Sequence, residues 1–171
     1  MKQITIIVLA ILLSSSISLF GQFQKNTLMV GGSADLGLQT SNPAIFEIDL
    51  RPTLGFFPVE NFAIGMQLNA DFTFMRDGNY SSLGLGPIVR YYIGKQKLTF
   101  FGHFSYLGRW RSAYYMEEGT FYQTFLPGVG MNYMLTPAVG LESMLGLYLG
   151  EGDPTFSLSF GFQIFIPPGG S

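Results

Sequence analysis

The chain has 171 residues and a formal net charge of −2; 47% of its residues are hydrophobic, and only 12% are charged. Soluble domains usually carry about 25–35% Lys, Arg, Asp and Glu on their surface, so this composition is unusual for a soluble protein. The small negative charge and the lack of a basic stripe argue against a nucleic acid partner. The absence of cysteine excludes a disulfide framework and a lipoprotein attachment site.

The first 21 residues have the pattern of a secretory signal peptide. Lys2 supplies a positive charge, Ile4–Leu13 form an apolar run, and Gly21 is a small residue before Gln22. An uncleaved anchor is the weaker alternative, because the run is about half of the roughly 20 residues that a spanning helix needs. The expected division of the chain is a signal peptide at 1–21, a main domain at 22–166 and a short flexible tail at 167–171.

The main domain alternates apolar and polar residues over eight segments, which are separated by turn sequences. No segment keeps a 3.6-residue period, so no helix is predicted after the signal peptide. Each segment is long enough for a tilted strand to cross a membrane, which takes about 9–11 residues. The predicted strands are Thr27–Gln39, Ile45–Phe57, Phe62–Met75, Ser81–Ile93, Leu98–Ser112, Thr120–Met134, Ala138–Leu149 and Thr155–Ile166.

The alternation separates an apolar face from a charged face. From Phe46 to Phe56 every even position except Pro52 carries a large apolar side chain, while Glu47, Asp49 and Arg51 occupy odd positions. A soluble barrel would turn the apolar face inward. A membrane barrel turns it outward, and a cation on that face at mid-membrane costs about 2–4 kcal/mol. No charge falls on the apolar face, and short turns alternate with longer loops. We therefore predict an all-β, eight-stranded antiparallel transmembrane up-and-down β-barrel in the outer membrane of a Gram-negative bacterium.

Aromatic residues on the apolar face lie near the strand ends, as expected for girdles at the two membrane interfaces. The predicted interfacial aromatics are Phe56, Phe62, Tyr91 and Tyr133 at one end and Trp110 at the other. Three prolines, Pro52, Pro87 and Pro127, also fall on this face. Because proline has no N–H to donate to a ladder, we expect bulges or missing hydrogen bonds beside them.

The opposite face predicts a polar, side-chain-filled lumen. Its acids and arginines nearly balance, whereas a selective pore usually lines itself with one sign of charge. Eight strands leave an interior just wide enough for side chains to fill it, which favours paired charges that plug the barrel. The predicted lumen network consists of Asp35, Glu47, Asp49, Arg51, Asp71, Arg90, His103, Arg109, Arg111 and Glu142.

Several motifs resemble those of a known family. They are Gly55–Pro58 with Phe62–Gly65, Gly86–Tyr92, Pro127–Gly130 and Phe160–Phe165. Over about residues 25 to 166 the chain resembles the small eight-stranded outer-membrane β-barrel domain abundant in the Bacteroidota, related in architecture to the OmpA/OmpX type. The resemblance implies fold and location and says almost nothing about activity. Family members generally end on an aromatic residue, whereas Pro167–Ser171 follow the last strand here.

One enzymatic alternative follows from His103-Phe104-Ser105 with Glu117 downstream, an order similar to that of the outer-membrane lipid A deacylases. In that family the histidine activates serine for acyl attack, and an acid orients the imidazole. That triad faces lipid, whereas His103 and Ser105 share the inward face with Arg109, and Glu117 falls in the longest loop. We therefore expect no enzymatic activity, and we predict neither a cofactor nor a metal.

The preferred interpretation is a non-enzymatic monomer that contacts outer-membrane lipids and is structural or presents its loops for surface contact. The longest loop, 112–119, combines Tyr114 and Tyr115 with acidic residues and is the candidate site for an extracellular ligand. Alternatively, these tyrosines extend the aromatic girdle. The main functional alternative is a small porin or ion-conducting channel.

Overall fold

The computed structural model describes residues 23–39, 45–75, 78–95, 97–113, 119–150 and 153–169. These residues form eight strands that close into one antiparallel barrel, each strand pairing with its neighbours in the sequence and β1 pairing with β8. The strands are β1 (Leu28–Gln39), β2 (Ile45–Val59), β3 (Phe62–Met75), β4 (Gly78–Lys95), β5 (Leu98–Ala113), β6 (Thr120–Met134), β7 (Val139–Gly150) and β8 (Thr155–Ile166). The predicted all-β, up-and-down barrel of eight strands is confirmed.

The strand ends differ from prediction mainly in β2 and β4. β2 continues through Pro58 to Val59, where a register irregularity against β3 follows Phe56. β4 is 18 residues long and includes Gly78 to Tyr80 of a predicted loop at one end, and Gly94 and Lys95 of a predicted tight turn at the other. Cross-strand pairing with β3 and β5 extends both ends, because a ladder continues wherever the partner strand offers hydrogen bonds. No helix that is long and apolar enough to cross a membrane occurs in the described ranges.

The barrel has two distinguishable ends. An even number of strands brings residue 28 and residue 166 to the same end, where they pair directly. We call this the turn end, because the tight connections β2–β3, β4–β5 and β6–β7 also lie there. The opposite end, reached by the β1–β2, β3–β4, β5–β6 and β7–β8 connections, is the loop end. The predicted signal peptide and loop residues 114–118 lie outside the described residues.

Burial follows the predicted alternation. In β2, Arg51, Thr53 and Phe57 are buried, while the intervening Leu54 and Phe56 are exposed. The outward side chains are large and apolar on every side of the barrel, with Val129 of β6 reaching 64% exposure. The charged parity therefore faces the lumen and the apolar parity faces outward, as the sequence predicts.

The three prolines interrupt the ladders as expected. β4 pairs with β5 at Leu85↔Gly108 and again at Ile88↔Ser105, with no pairing at Pro87. The same two-residue interruption occurs beside Pro52 in the β2–β3 ladder and beside Pro127 in the β6–β7 ladder. The register is unchanged across each interruption, so hydrogen bonds are missing but no residue is inserted. A proline lacks the donor that would complete the ladder on that side.

Inward-facing glycines make room for the large side chains of the lumen. A Cβ on Gly84 would stand 2.8 Å from Cγ of Arg109, and one on Gly130 would stand 2.3 Å from the Phe101 ring. Since real Cβ atoms do not approach so closely, these glycines are required by the neighbours packed over them. Large side chains therefore fill the lumen, and they fit because glycines in the barrel wall leave space for them.

Candidate functional site in the barrel lumen

An aromatic cluster closes the turn end of the lumen. Phe23 stacks on Phe165 with ring centroids 4.1 Å apart and contacts Tyr92 edge-on at 4.9 Å and Phe57 at 5.2 Å. Phe101 extends the cluster from Tyr92 at 5.5 Å. All five rings are buried. We call these residues, Phe23, Phe57, Tyr92, Phe101 and Phe165, the aromatic seal.

Hydrogen bonds hold Phe23 in the seal. The backbone N–H of Phe23 donates to Oδ1 of Asn61 over 3.3 Å, and the N–H of Asn61 donates to the carbonyl of Phe23 over 3.1 Å. The N–H of Asn26 donates to the carbonyl of Phe57 over 2.7 Å. Asn26 and Asn61 both have positive φ, a conformation that asparagine tolerates better than most residues. The segment before β1 is thus bound across the turn end of the barrel.

The expectation of a polar lumen is therefore wrong for the turn end. The lumen there contains buried apolar side chains, which also include Met29, Ala63, Met134 and Met144. The signal was present in the sequence, because these residues have the inward parity of their strands. Aromatic residues near strand ends are typical of an interfacial girdle. Because successive residues of a strand face opposite sides, only the outward-facing ones can belong to the girdle, and the inward-facing ones enter the lumen.

A buried ion pair occupies the middle of the lumen. Arg90 of β4 donates to both carboxylate oxygens of Glu142 on β7, over 2.7 and 3.2 Å, and each residue is 3% exposed. Nε of Arg90 donates to Nδ1 of His103 over 3.0 Å. The guanidinium carbon lies 4.8 Å from the centre of the Phe101 ring. Two parallel hydrogen bonds and a stacked ring are the favourable geometry for a buried guanidinium.

Three aspartates form a row across neighbouring strands nearer the loop end. Asp35 of β1 is directly opposite Asp49 of β2, which is directly opposite Asp71 of β3. Like charges directly opposite one another are destabilising. Two arginines offset this repulsion. Arg51 contacts Asp35 and lies 3.3 Å from Asp49, and Arg109 contacts Asp71. We call Asp35, Asp49 and Asp71 the aspartate row.

Two inward tyrosines complete this network, and the sequence analysis did not single them out. Tyr148 donates to Asp49 over 2.9 Å and accepts a hydrogen bond from Asn69 over 3.3 Å. Its ring lies 5.6 Å from the guanidinium carbon of Arg109, which is also 5.6 Å from the ring of Tyr122. Both tyrosines have the inward parity of their strands, so alternation was the available signal. Their rings cover the arginines that neutralise the aspartate row.

Glu47 and Arg111 lie at the mouth of the loop end and are exposed. Neither forms an ion pair with another described residue, although the ring of Tyr122 lies 4.9 Å from the guanidinium carbon of Arg111. The predicted network is thus divided. Eight of its residues lie inside the lumen in two clusters. One cluster contains Arg90, Glu142 and His103, and the other contains Asp35, Asp49, Asp71, Arg51 and Arg109. The remaining two, Glu47 and Arg111, border the opening of the lumen.

A cavity of about 540 Å³ opens between these groups at the loop end. Its walls include the aspartate row, Glu47, Arg109 and Arg111, with Tyr80, Tyr122 and Tyr148. Below it, the lumen is filled by the Arg90–Glu142 pair and then by the aromatic seal. The lumen therefore has one charged, open end and one apolar, closed end.

His103 and Ser105 are both buried in the lumen but form no hydrogen bond with each other. Nδ1 of His103 accepts from Arg90, while Nε2 of His103 and Oγ of Ser105 have no hydrogen-bond partner within the described residues. Glu117 lies outside those residues. In the part of the chain that the structure describes, no group of three or more His, Cys, Asp or Glu side chains is placed to hold a metal ion.

The five predicted interfacial aromatics are on the outward surface. Phe56, Phe62, Tyr91 and Tyr133 lie towards the turn end, where Phe62 is opposite Tyr91 in the β3–β4 ladder. Trp110 lies towards the loop end and contacts Phe121 of β6 with ring centroids 5.0 Å apart. Phe62 is partly exposed and the other four are exposed.

No known protein-family profile matches the chain, and no curated protein matches it in sequence. Solved structures do match. Neisserial surface protein A is 13% identical with a TM-score of 0.61, over 81% of this chain and 96% of that one. The outer membrane protein OprG from Pseudomonas aeruginosa is 11% identical with a TM-score of 0.57, over 86% and 99%. The Yersinia pestis outer membrane protein Ail is 9% identical with a TM-score of 0.53, over 84% and 100%. At these identities the likeness establishes that the chain has the fold of eight-stranded outer-membrane barrels.

Proposed function

We propose that this chain is a non-enzymatic outer-membrane protein of a Gram-negative bacterium, a monomeric barrel with a closed lumen that is structural or presents its loop end to the cell surroundings. The sequence motifs support placing it with the Bacteroidota-type barrel domains. The similar solved structures are described as outer-membrane or surface proteins, which is consistent with this location.

The outward surface is the observation that carries the proposal. The outward-facing side chains described in the strands are apolar or neutral, and the charged side chains described there lie on the inward parity. A contiguous apolar patch of more than a few hundred Å² is rare on a soluble monomer. Here the apolar surface surrounds the barrel, so hydrocarbon is the solvent that it fits.

The closed lumen supports a structural or surface-contact role over conduction. An ion crossing from the loop end would have to displace the Arg90–Glu142 pair and then the aromatic seal, and both are buried. The position of His103 and Ser105 inside the lumen, with Arg90 bound to the imidazole, supports a non-enzymatic role. Residues 112–119 remain the candidate loop for an extracellular ligand.

Cell fractionation combined with planar-bilayer recording tests this proposal. The protein should be recovered with the outer membrane, show heat-modifiable mobility in detergent, and give little or no single-channel conductance. A large, stable, ion-selective conductance from the unmodified protein would replace the proposal with the porin alternative. Lipid A hydrolysis that disappears in Ser105→Ala would replace it with the hydrolase alternative, and recovery in a soluble fraction would reject the membrane location.

A further inference from the structure

We propose that the cavity at the loop end binds a small hydroxylated primary amine, of which an amino sugar is the representative. The cavity, of about 540 Å³, is within the range of about 300–1,000 Å³ that small-molecule sites occupy. It opens at the loop end, and the Arg90–Glu142 pair lies deeper in the lumen.

The charges around the cavity favour a cation. Its walls contain the aspartate row, Glu47 and Asp153, against Arg109 and Arg111, with Arg51 paired behind the row. Arg51 and Arg109 are paired with the aspartate row, and of the remaining charged groups Arg111 can balance only one of Glu47 and Asp153, so negative charge is in excess in the described part of the cavity. An ammonium group supplies the missing positive charge together with three hydrogen-bond donors.

The same walls also require an acceptor. Arg109 is only 8% exposed, and its Nη2 contacts Asp71, but its Nε has no hydrogen-bond partner within the described ranges. A buried donor without a partner is costly, and a ligand oxygen would satisfy it. A hydroxyl group accepts from the guanidinium and donates to a carboxylate at once, so it suits a wall in which the two alternate.

Tyrosine side chains on the walls add apolar contact beside these charges. Tyr80, Tyr122 and Tyr148 all line the cavity, and Tyr122 and Tyr148 are fixed by hydrogen bonds to Ser82 and Asp49. An amino sugar presents an ammonium group, several hydroxyls and an apolar ring edge together. A bare metal ion fits less well, since no three acidic or histidine side chains among the described residues are placed to hold one.

Binding of matched sugars to the full mature chain, folded in detergent, tests the inference. D-Glucosamine, N-acetyl-D-glucosamine and D-glucose share a ring and differ in the charge at one position, so ligand-observed NMR titration isolates the ammonium group. We expect saturable binding of glucosamine and at least about tenfold weaker binding of the two neutral sugars. Equal binding of all three, or none by glucosamine at millimolar concentration, would overturn the inference. Displacement of glucosamine by calcium at equal concentration would overturn it in favour of an inorganic cation.

Variants at the two ends of the barrel locate the site. Glu47→Gln should weaken glucosamine binding by a factor of up to about five, and Glu47→Lys by about tenfold or more. Glu60 is an exposed acid in the turn-end connection β2–β3, so Glu60→Gln and Glu60→Lys are the matched controls and should leave binding unchanged. Equal losses from both sites would show a diffuse charge effect and overturn the inference. Heat-modifiable mobility confirms that each variant is folded.

The inference rests on the proposed function for one point only, that the loop end faces the outside of the cell. Binding in detergent needs no orientation. A failure to bind therefore overturns the amine site and leaves the membrane proposal standing, whereas recovery of the protein in a soluble fraction overturns the membrane proposal and leaves the measured binding standing.

Discussion

The two halves of the lumen are filled by different kinds of side chain. At the turn end, five aromatic rings are buried against one another, and the hydrogen bonds of Asn61 hold Phe23 in place. Towards the loop end, carboxylates and guanidinium groups neutralise one another and leave buried atoms without partners, such as Oδ1 of Asp35 and Nη1 of Arg51. The apolar half closes the barrel. The charged half contains a cavity and polar atoms without hydrogen-bond partners, and a ligand would fit there.

The largest test of this contrast places the same charge in each half. Ala63→Arg puts a guanidinium at a position with 0% exposure, inside the apolar cluster and opposite Arg90, and should prevent folding or cost more than about 4 kcal/mol. Thr73→Arg adds the same side chain to the wall of the acidic cavity, directly opposite Glu47, and should cost less than about 1 kcal/mol. Urea unfolding in lipid vesicles measures both. Equal costs would mean that the halves do not differ in polarity.

The buried ion pair at the boundary between the halves should respond to loss of one partner. Arg90→Ala leaves Glu142 buried without its counter-charge and should lower the free energy of unfolding by about 3–5 kcal/mol. The double variant Arg90→Met with Glu142→Leu removes both charges and should recover much of that loss. Arg111→Ala at the exposed mouth is the control and should cost at most about 1 kcal/mol. A double variant as unstable as Arg90→Ala would contradict this account.

Truncation of the seal tests the closure of the turn end. Phe23→Ala removes the ring stacked on Phe165 and should lower the free energy of unfolding by about 3 kcal/mol, the low end for a buried phenylalanine, because Phe23 precedes the first strand. Phe121→Ala removes an exposed ring from the outward surface at the loop end and serves as the comparison, with a smaller loss expected. Urea unfolding in lipid vesicles measures the loss of stability in both variants. A Phe23→Ala variant as stable as the unmodified protein would show that the N-terminal segment does not contribute to closure.

The smallest expected effect comes from removing the hydroxyl group of one lumen tyrosine while its ring is kept. Tyr148→Phe keeps the ring beside Arg51 and Arg109 but removes the donor to Asp49 and the acceptor for Asn69, and should cost about 1–2 kcal/mol. Tyr91→Phe on the outward surface should cost less than about 0.5 kcal/mol. No difference between the two variants would mean that the polar network of the loop half contributes nothing to stability.

The amino-acid sequence was enough to predict the number of strands, the face that each strand residue occupies and the ladder interruptions at the prolines. Alternation is a local property, because successive side chains of a strand point to opposite sides whatever the partner strand is. The outward surface, the inward position of Arg90 and Glu142 and the interruptions at Pro52, Pro87 and Pro127 follow from it. The same rule places Phe57 and Tyr148 on the inward face, although neither was among the predicted lumen residues.

Which inward residues meet depends on how the strands are aligned in the closed barrel. Arg90 and Glu142 are 52 residues apart and come together because the barrel closes, and the aspartate row exists because the registers of two ladders align Asp35, Asp49 and Asp71. A register is set by the whole set of pairings around the barrel, so a change of two residues in one ladder would keep every side chain on its face and separate these partners. The entry of Phe23 into the seal likewise depends on Asn61, 38 residues away. The face of a residue is a local property, whereas its neighbours in space depend on the whole barrel, which is why the sequence predicted the charged residues of the lumen but not its division into a sealed half and an open one.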